Sequence, residues 1–217
     1  MGKYRLVIFD LDGTILDTLE DLYDSLNVAL RENGFPERSI QEVRSFVGNG
    51  IYRLVQLGLP EGHTEEELNR TLAFFRSYYG EHCLDKTKPY PGISELFERL
   101  HREGRLIAVV SNKADSAVQE LIARFFPGQI DCVLGERDGI RRKPAPDTVL
   151  EAMRRMGVSA GETVYAGDSE VDIQTAANAG VDAVIVSWGF RDRQELLEHG
   201  AKVIVDRMEE LFSQISQ

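Results

Sequence analysis

The sequence has few of the features that mark secreted, membrane-bound or zinc-binding proteins. Its two cysteines, Cys83 and Cys132, are far apart and outside any C-x-x-C pair, so we expect free thiols in a reducing compartment. The four histidines share no zinc-ligand spacing. No apolar run is long enough to span a bilayer, and the first strand begins too early for a signal peptide. We therefore expect a cytoplasmic protein without a membrane partner.

Positive charge is also scarce. The 217 residues include 25 Lys and Arg against 36 Asp and Glu, a formal net charge of −11. This balance disfavours nonspecific binding to nucleic acids or anionic membranes. The composition, 42% hydrophobic and 28% charged, is that of an ordinary globular protein. A chain of this length can bury a sizeable core without a disulfide or metal to stabilise it.

Short apolar runs alternate with amphipathic segments along most of the chain. The runs are typical of strands that are buried on both faces, and the segments between them place apolar residues on one helical face. Such alternation predicts an α/β fold with a doubly wound parallel sheet. The predicted strands are 4–10, 106–111, 132–135, 163–167, 183–186 and 202–205, and the predicted helices between them are 93–103, 114–124 and 148–156.

Residues 18–85 interrupt this alternation with helical periodicity and no convincing strand. The stretch is too long for a crossover, and the proline-rich segment 88–92 marks the return to the sheet. We predict two domains, a core formed by residues 1–17 and 86–217 and an inserted helical domain, 18–85. The predicted helices of the insert are 19–30, two short helices within 43–57 separated by Gly48-Asn49-Gly50, and 68–79.

Residues 7–14, VIFDLDGT, end an apolar strand with two carboxylates. Side chains two residues apart in an extended chain point the same way, so Asp10 and Asp12 share a face at the carboxyl end of the strand. In open parallel sheets, ligands bind at that end. Apolar surroundings disfavour ionisation of such a pair, so a cation or a reaction is expected there. For this stretch alone, a solvated turn at Asp12-Gly13 is the alternative.

Two further polar segments follow predicted strands. Ser111 and Asn112, with Lys113 next, could hold a phosphate with a hydroxyl and free N–H groups, or could simply cap a helix. Lys143 precedes a proline, which restricts where the lysine can point, although a solvated run of basic residues is the alternative there.

A third segment adds more carboxylates. Asp168 ends the strand predicted at 163–167, and Ser169 with Asp172 matches a helix capping box. Together with Asp10 and Asp12, Asp168 would form a hard-oxygen cluster of the kind that Mg²⁺ prefers. Each segment has an ordinary structural explanation, but their joint occurrence at one edge of one sheet favours a phosphate-handling site.

The four motifs together resemble those of the haloacid dehalogenase superfamily in sequence and in order. They are DLDGT at 10–14, SNK at 111–113, KP at 143–144 and GDSEVD at 167–172. The insert resembles that family's helical cap, and the SNK triplet with FVGNG at 46–50 is most similar to phosphoglycolate phosphatases. The resemblance implies a Rossmann-like core and a Mg²⁺-dependent hydrolase acting on a small phosphorylated metabolite.

The resemblance also implies a role for each matching residue. Asp10 would be the nucleophile that forms an aspartyl-phosphate, and Asp12 would protonate the leaving group and later deprotonate water. Both would join Asp168 in the Mg²⁺ site, Asp12 through its main-chain carbonyl. The implied substrate-binding residues are Ser111, Asn112 and Lys143.

Other functions remain open at this stage. Sugar-phosphate phosphatases, pyrophosphatases and β-phosphoglucomutase-like phosphomutases use the same core, and a mutase would differ by not releasing free phosphate. A signalling receiver domain has an acidic pocket and a lysine but lacks the D-x-D pair and the helical insert. A non-catalytic module is disfavoured because every catalytic position is filled. We expect a monomer or a homodimer.

Overall fold

The computed structural model describes residues 2–216, which form two compact units. One unit contains the chain up to Leu16 and from Pro89 onward, and the other is Asp17–Lys88. The chain passes between them through two short strands, β2 (Leu16–Asp17) and β3 (Lys88–Pro89), which pair with each other. No helix in the described part of the chain is long and apolar enough to cross a membrane.

The first unit is built on a six-stranded sheet in which every neighbouring pair is parallel. Its strands are β1 (Leu6–Phe9), β4 (Leu106–Ala114), β5 (Cys132–Glu136), β6 (Thr163–Gly167), β7 (Asp182–Val186) and β8 (Ile204–Val205). The spatial order is β5-β4-β1-β6-β7-β8, so the chain fills one side of β1 and then the other. The predicted doubly wound sheet and its six strands are confirmed.

Helices connect these strands, and one more follows the last strand. They are α5 (Ile93–Arg102), α6 (Asp115–Phe125), α7 (Asp147–Met156), α8 (Glu170–Ala179), α9 (Arg193–Glu198) and α10 (Met208–Ile215), with a 3-10 turn at Ala160–Glu162. The three helices predicted from apolar periodicity are confirmed as α5, α6 and α7. Apolar periodicity did not predict α8, α9 or α10. The buried face of α8 includes the polar residues Asp172 and Thr175, so that only the capping box at Ser169 indicated its start. The six residues of α9 and the eight of α10 are too few to show a helical period clearly.

The core lies on both faces of β1, whose four residues are fully buried. On one face, Phe9 packs edge-to-face against Phe97, which packs in the same way against Phe126, with ring centroids 5.2 Å apart in each pair. On the other face, Ile8 joins a cluster that includes Tyr165 and the apolar side of α7. Packing on both faces holds the strand in place and therefore positions the polar residues that follow it, beginning with Asp10.

The second unit is helical, and its predicted helices are confirmed. They are α1 (Leu19–Glu32), α2 (Ile40–Phe46), α3 (Gly50–Gly58) and α4 (Glu65–His82). Capping boxes start α2 at Ser39 with Glu42 and α4 at Thr64 with Glu67. The predicted break lies between α2 and α3, where Gly48 and Gly50 both have positive φ.

Candidate active site

The carboxyl ends of three adjacent strands, together with the loop that follows β5, bring the predicted site residues together. β1 lies between β4 and β6, and Phe9 is in register with Val109 on one side and Ala166 on the other. The residues that follow these positions therefore meet at one edge of the sheet. Five of the predicted site residues are buried there: Asp10, Ser111, Asn112, Lys143 and Asp168.

The ammonium of Lys143 lies between two carboxylates. Its Nζ is 2.8 Å from Oδ1 of Asp10 and 2.8 Å from Oδ1 of Asp172, and it donates to the Tyr165 hydroxyl at 3.0 Å. Burial by itself would lower the pKa of Lys143, but the charges of Asp10 and Asp172 outweigh burial and raise this pKa well above its ordinary value. Lys143 is therefore a fixed positive charge at the centre of the site.

Asp172 has both carboxylate oxygens occupied. Oδ1 accepts from Lys143 Nζ at 2.8 Å and from the Tyr165 hydroxyl at 2.9 Å. Oδ2 accepts from the main-chain N–H groups of Asp168 and Ser169 and from the Ser169 hydroxyl. Burial raises the pKa of Asp172, but Lys143 and these hydrogen bonds outweigh it and lower the pKa. Asp172 is an ionised group that positions Lys143 and starts α8.

Asp10 and Asp168 have the opposite tendency. Burial raises the pKa of Asp10 to about 7, with further contributions from Asp172 and Asp12, although Lys143 opposes the shift. Burial also raises the pKa of Asp168 well above its ordinary value, and the charges of Asp172 and Asp10 add to the effect. The negative charge around these two carboxylates therefore exceeds the positive charge that nearby protein cations supply.

Asp168 is held by groups from two distant segments. The Thr14 hydroxyl donates to Oδ1 at 3.2 Å, and the main-chain N–H of Phe190 donates to Oδ2 at 2.7 Å. Glycines line the same carboxylate, since a Cβ added at Gly13 or at Gly189 would lie 2.3 Å from Oδ2. Gly13 also has a φ of +83°. A side chain at either position would displace Asp168.

The Asn112 side chain is bonded to the main chain of Lys143. Its Oδ1 accepts from the Lys143 N–H at 2.8 Å, and its Nδ2 donates to the Lys143 carbonyl at 3.1 Å. The Lys143–Pro144 peptide bond is cis. Asn112, predicted as a phosphate-binding residue, therefore also determines where Lys143 enters the site.

Asp12 forms an ion pair with a second lysine, Lys113. Lys113 Nζ lies 3.1 Å from Asp12 Oδ1, and the two side chains are 5% and 16% exposed. Lys113 lies in an irregular part of β4, because Val110 pairs with Leu134 whereas Ala114 pairs with Glu136. Four steps along β4 thus match two along β5, and β-bulges of this kind often redirect side chains at active sites.

The donor set fits a divalent cation. Carboxylate oxygens of Asp10, Asp168 and Asp172 lie within 4.8 Å of one another. Asp172 accepts two hydrogen bonds on Oδ1, one of them from Lys143, and three on Oδ2, whereas Asp168 accepts one on each oxygen. Asp10 and Asp168 therefore have more lone pairs left for a metal ion and are the better ligands. Oδ1 of Asp10 is buried and is paired with Lys143 by charge but without hydrogen-bond geometry. Carboxylate oxygens are hard ligands, and the negative charge of this cluster is not balanced by the protein, so the cluster suits Mg²⁺.

A charge count of the site supports the same fit. It contains four carboxylates, Asp10, Asp12, Asp168 and Asp172, and two ammonium groups, Lys113 and Lys143. If all six are ionised, their net charge is −2, which one Mg²⁺ would neutralise. Unbalanced buried charge is costly, and a bound cation removes that cost.

Sequence reasoning missed several groups of this site. The Asp12–Lys113 pair was not anticipated, because Lys113 lies in the segment of β4 whose register with β5 is irregular. The Thr14 hydroxyl stood inside the DLDGT motif without an assigned role. The Phe190 N–H and Gly189 left no local signal, because they reach Asp168 from a loop some 20 residues away.

Comparison with known proteins gives a consistent picture. A family model described as haloacid dehalogenase-like hydrolase matches residues 7–186. The phosphoglycolate phosphatase of Mesorhizobium japonicum is 33% identical over 196 residues, which cover 87% of this chain and 85% of that protein. Phosphoglycolate phosphatase 1 of Pseudomonas aeruginosa is 31% identical over 215 residues, covering 96% of this chain and 78% of the relative.

Solved structures share the fold across the whole chain. A candidate phosphoglycolate phosphatase of Lactobacillus delbrueckii subsp. bulgaricus is 44% identical, with a TM-score of 0.94 and 99% of each chain covered. A candidate β-phosphoglucomutase of Bacteroides vulgatus, 21% identical, has a TM-score of 0.78 with 99% of this chain and 91% of that chain covered. The fold by itself therefore does not separate hydrolysis from phosphoryl transfer within a substrate.

Proposed function

This chain belongs to the haloacid dehalogenase-like hydrolases and is a phosphatase of that family, and we propose that it hydrolyses small phosphomonoesters, 2-phosphoglycolate first among them, through an aspartyl-phosphate on Asp10. The activity would require Mg²⁺. One observation carries the proposal: Asp10, at the end of β1, is paired at 2.8 Å with the buried, charged Lys143 beside Asp168. A nucleophilic carboxylate needs such cationic neighbours to approach an anionic phosphate.

In the first step, a carboxylate oxygen of Asp10 attacks phosphorus. The bond from phosphorus to the ester oxygen breaks, and its electron pair leaves with that oxygen. Asp12, in its protonated form, gives its proton to the departing alkoxide, so that an alcohol is released. Asp12 lies close to Asp10, because its charge adds to the effect of burial in raising the pKa of Asp10.

In the second step, water attacks the phosphorus of the aspartyl-phosphate. Asp12, now a carboxylate, takes a proton from the water, and the bond between phosphorus and Asp10 breaks with its electron pair returning to the carboxylate. Inorganic phosphate leaves, and Asp12 is again protonated for the next cycle. Each step thus conserves protons within the site, and no further reactant is needed.

The transferring phosphate needs positive charge and hydrogen-bond donors around its oxygens. Lys143 supplies a charge whose position is determined by Asp172 and by the main-chain contacts of Asn112. The Ser111 hydroxyl, which accepts from the Lys113 N–H at 3.1 Å, can donate its own hydrogen to a phosphate oxygen. We assign substrate binding to Ser111, Asn112 and Lys143, with the Asn112 side chain acting through Lys143.

Asp10 and Asp168 would hold Mg²⁺ through their side chains, and Asp12 through its main-chain carbonyl. When bound, the ion would offset the repulsion between the Asp10 carboxylate and the substrate phosphate. The raised pKa values of Asp10 and Asp168 support this assignment, because burial among like charges disfavours their ionised forms until a cation arrives.

The choice of 2-phosphoglycolate rests on the relatives, several of which carry the name phosphoglycolate phosphatase. We also propose the division predicted from the sequence, with residues 1–17 and 86–217 as the catalytic core and the helical residues 18–85 as the family's cap domain.

The test measures inorganic phosphate released from a panel of phosphomonoesters, with Mg²⁺ or with excess chelator. We expect release from 2-phosphoglycolate at the highest kcat/KM, and none with chelator. Phosphate release without any metal would contradict the metal assignment. Conversion of a sugar phosphate to its isomer without free phosphate would show a mutase. Wild-type activity of Asp10→Asn would remove Asp10 as the nucleophile.

A further inference from the structure

We propose that Lys113 is a positioning residue, which holds the carboxylate of Asp12 in the place from which it transfers protons. This inference rests on the proposed function, since it assumes that Asp12 exchanges protons with leaving group and water. The geometry is the 3.1 Å ion pair between Lys113 Nζ and Asp12 Oδ1, in which the lysine side chain is only 5% exposed.

The β4 backbone is shaped to bring Lys113 to Asp12. The segment between Val110 and Ala114 leaves the regular register with β5, and the Lys113 N–H bonds to the Ser111 hydroxyl within it. Gly135 on β5 makes room for this irregular segment. A Cβ at Gly135 would lie 2.8 Å from the Lys113 carbonyl and 2.4 Å from the Asp115 Cα.

The two lysines of the site pair with three of its four carboxylates. Lys143 pairs with Asp10 and Asp172, whereas Lys113 pairs with Asp12. A buried ammonium is stabilised only by a close and well-oriented anion, so the Lys113–Asp12 pair restricts both side chains to one arrangement. Asp10 and Asp12, two residues apart, are thereby oriented independently, which suits a nucleophile and a proton carrier with separate tasks.

Proton donation by Asp12 matters only when the leaving group is basic. An alkoxide is a poor leaving group and needs the proton, whereas 2,4-dinitrophenolate leaves without one. The hydrolysis of the aspartyl-phosphate, in contrast, needs Asp12 as a base whatever the first leaving group was. A misplaced Asp12 should therefore slow the first step for alkyl esters alone, and the second step for all substrates.

The experiment compares Lys113→Met with the wild type on three substrates: 2-phosphoglycolate, ethyl phosphate and 2,4-dinitrophenyl phosphate. We expect kcat/KM to fall about 10- to 100-fold for both alkyl esters, part of the factor that acid–base catalysis contributes, and less than about threefold for the aryl ester. Because the aryl ester still reacts in the first step, Lys113→Met should release a stoichiometric burst of dinitrophenolate before slow turnover.

The ratio of the alkyl to the aryl kcat/KM does not depend on the fraction of folded enzyme, so a partly unfolded variant still gives an answer. Lys113→Arg, which keeps the charge, should recover part of the ratio. Lys3→Met removes a lysine from an exposed ion pair with Asp182 and should leave the ratio unchanged.

Two results would overturn the inference. Equal losses of kcat/KM on all three substrates would show that Lys113 has a general structural role or contacts the phosphate. A loss confined to 2-phosphoglycolate, mainly in KM, would mean that Lys113 binds the substrate carboxylate. A wild-type enzyme that releases no phosphate from any of the three esters would instead reject the proposed function itself.

Discussion

The side-chain amide of Asn112 bonds at once to the N–H and the carbonyl of Lys143, at 2.8 Å and 3.1 Å. This two-point contact joins the end of β4 to the loop before α7, across 31 residues of sequence. Both polar groups of one buried peptide segment are satisfied by a single side chain. The position of the site's central ammonium therefore depends on a residue in another motif.

Replacing Asn112 with Ala should damage both stability and catalysis. The buried N–H and carbonyl of Lys143 would lose their partner, which lowers the free energy of unfolding by about 2 kcal/mol. A displaced Lys143 should also lower kcat/KM at least about 10-fold, and urea unfolding and steady-state kinetics would measure the two effects. Asn178→Ala is the control, because Asn178 donates to the Pro144 carbonyl of the same loop from an exposed position that water can take over. Similar losses in both variants would contradict the specific role of Asn112.

In excess chelator, Asp10→Asn should be more stable than the wild type, and increasingly so as pH rises. The folded pKa of Asp10, raised by burial to about 7, exceeds its ordinary value of 3.8. Between these values the native state holds a proton that the unfolded chain has lost, so wild-type stability falls with rising pH by at most about 1.4 kcal/mol per pH unit. Asn does not titrate and escapes this loss.

Urea unfolding at pH 5 and pH 8 would measure this difference, which should be larger at pH 8. Asp147→Asn is a suitable control, because Arg141 lowers the pKa of Asp147. The stabilisation from Asp147 is present above its unfolded pKa and is lost only as pH falls, so its removal should bring no gain at pH 8. A constant difference between Asp10→Asn and the wild type at both pH values would contradict the raised pKa.

Gly189→Ala should weaken Mg²⁺ binding. The added Cβ would lie 2.3 Å from Asp168 Oδ2 and 2.5 Å from the Gly13 carbonyl, so the carboxylate must move. Changes that disturb the support of a metal ligand lower metal affinity by about 10- to 100-fold. Calorimetric titration of the metal-free protein would measure the loss directly. Gly161→Ala, where the new Cβ would have no atom within 4 Å apart from the adjoining chain, should bind Mg²⁺ like the wild type. Unchanged affinity in Gly189→Ala would show that Asp168 is not a ligand.

Gly80→Ala should stabilise the helical unit. Gly80 is exposed within α4, and a Cβ there would meet nothing within 4 Å. Alanine loses less conformational entropy than glycine on entering a helix, so the free energy of unfolding should rise by about 0.5–1 kcal/mol. Gly34→Ala should instead lower the free energy of unfolding, because Gly34 has a φ of +79°, which alanine adopts only with strain. A destabilised Gly80→Ala, seen in urea unfolding, would refute the expectation.

Much of the fold could be predicted from local patterns. The apolar run before Asp10 and the similar runs at 106–111 and 163–167 correspond to β1, β4 and β6, because a strand buried on both faces shows its burial in its own residues. The break at Gly48-Asn49-Gly50 separates α2 from α3 for an equally local reason, since both glycines have positive φ. Short helices such as α9 carry too little pattern to be recognised.

From the sequence it could be predicted that the polar residues after β1, β4 and β6 meet at the candidate site, because strand ends in a parallel sheet lie at one edge whatever their separation along the chain. How these groups pair depends on the tertiary structure. Lys113 pairs with Asp12 and Lys143 pairs with Asp10. The main-chain N–H of Phe190 donates to Asp168. These pairings depend on strand order, on an irregular register in β4 and on loops distant in sequence. No local periodicity encodes them, because each is selected by the charge and hydrogen-bond requirements of atoms that become neighbours only when the sheet is complete.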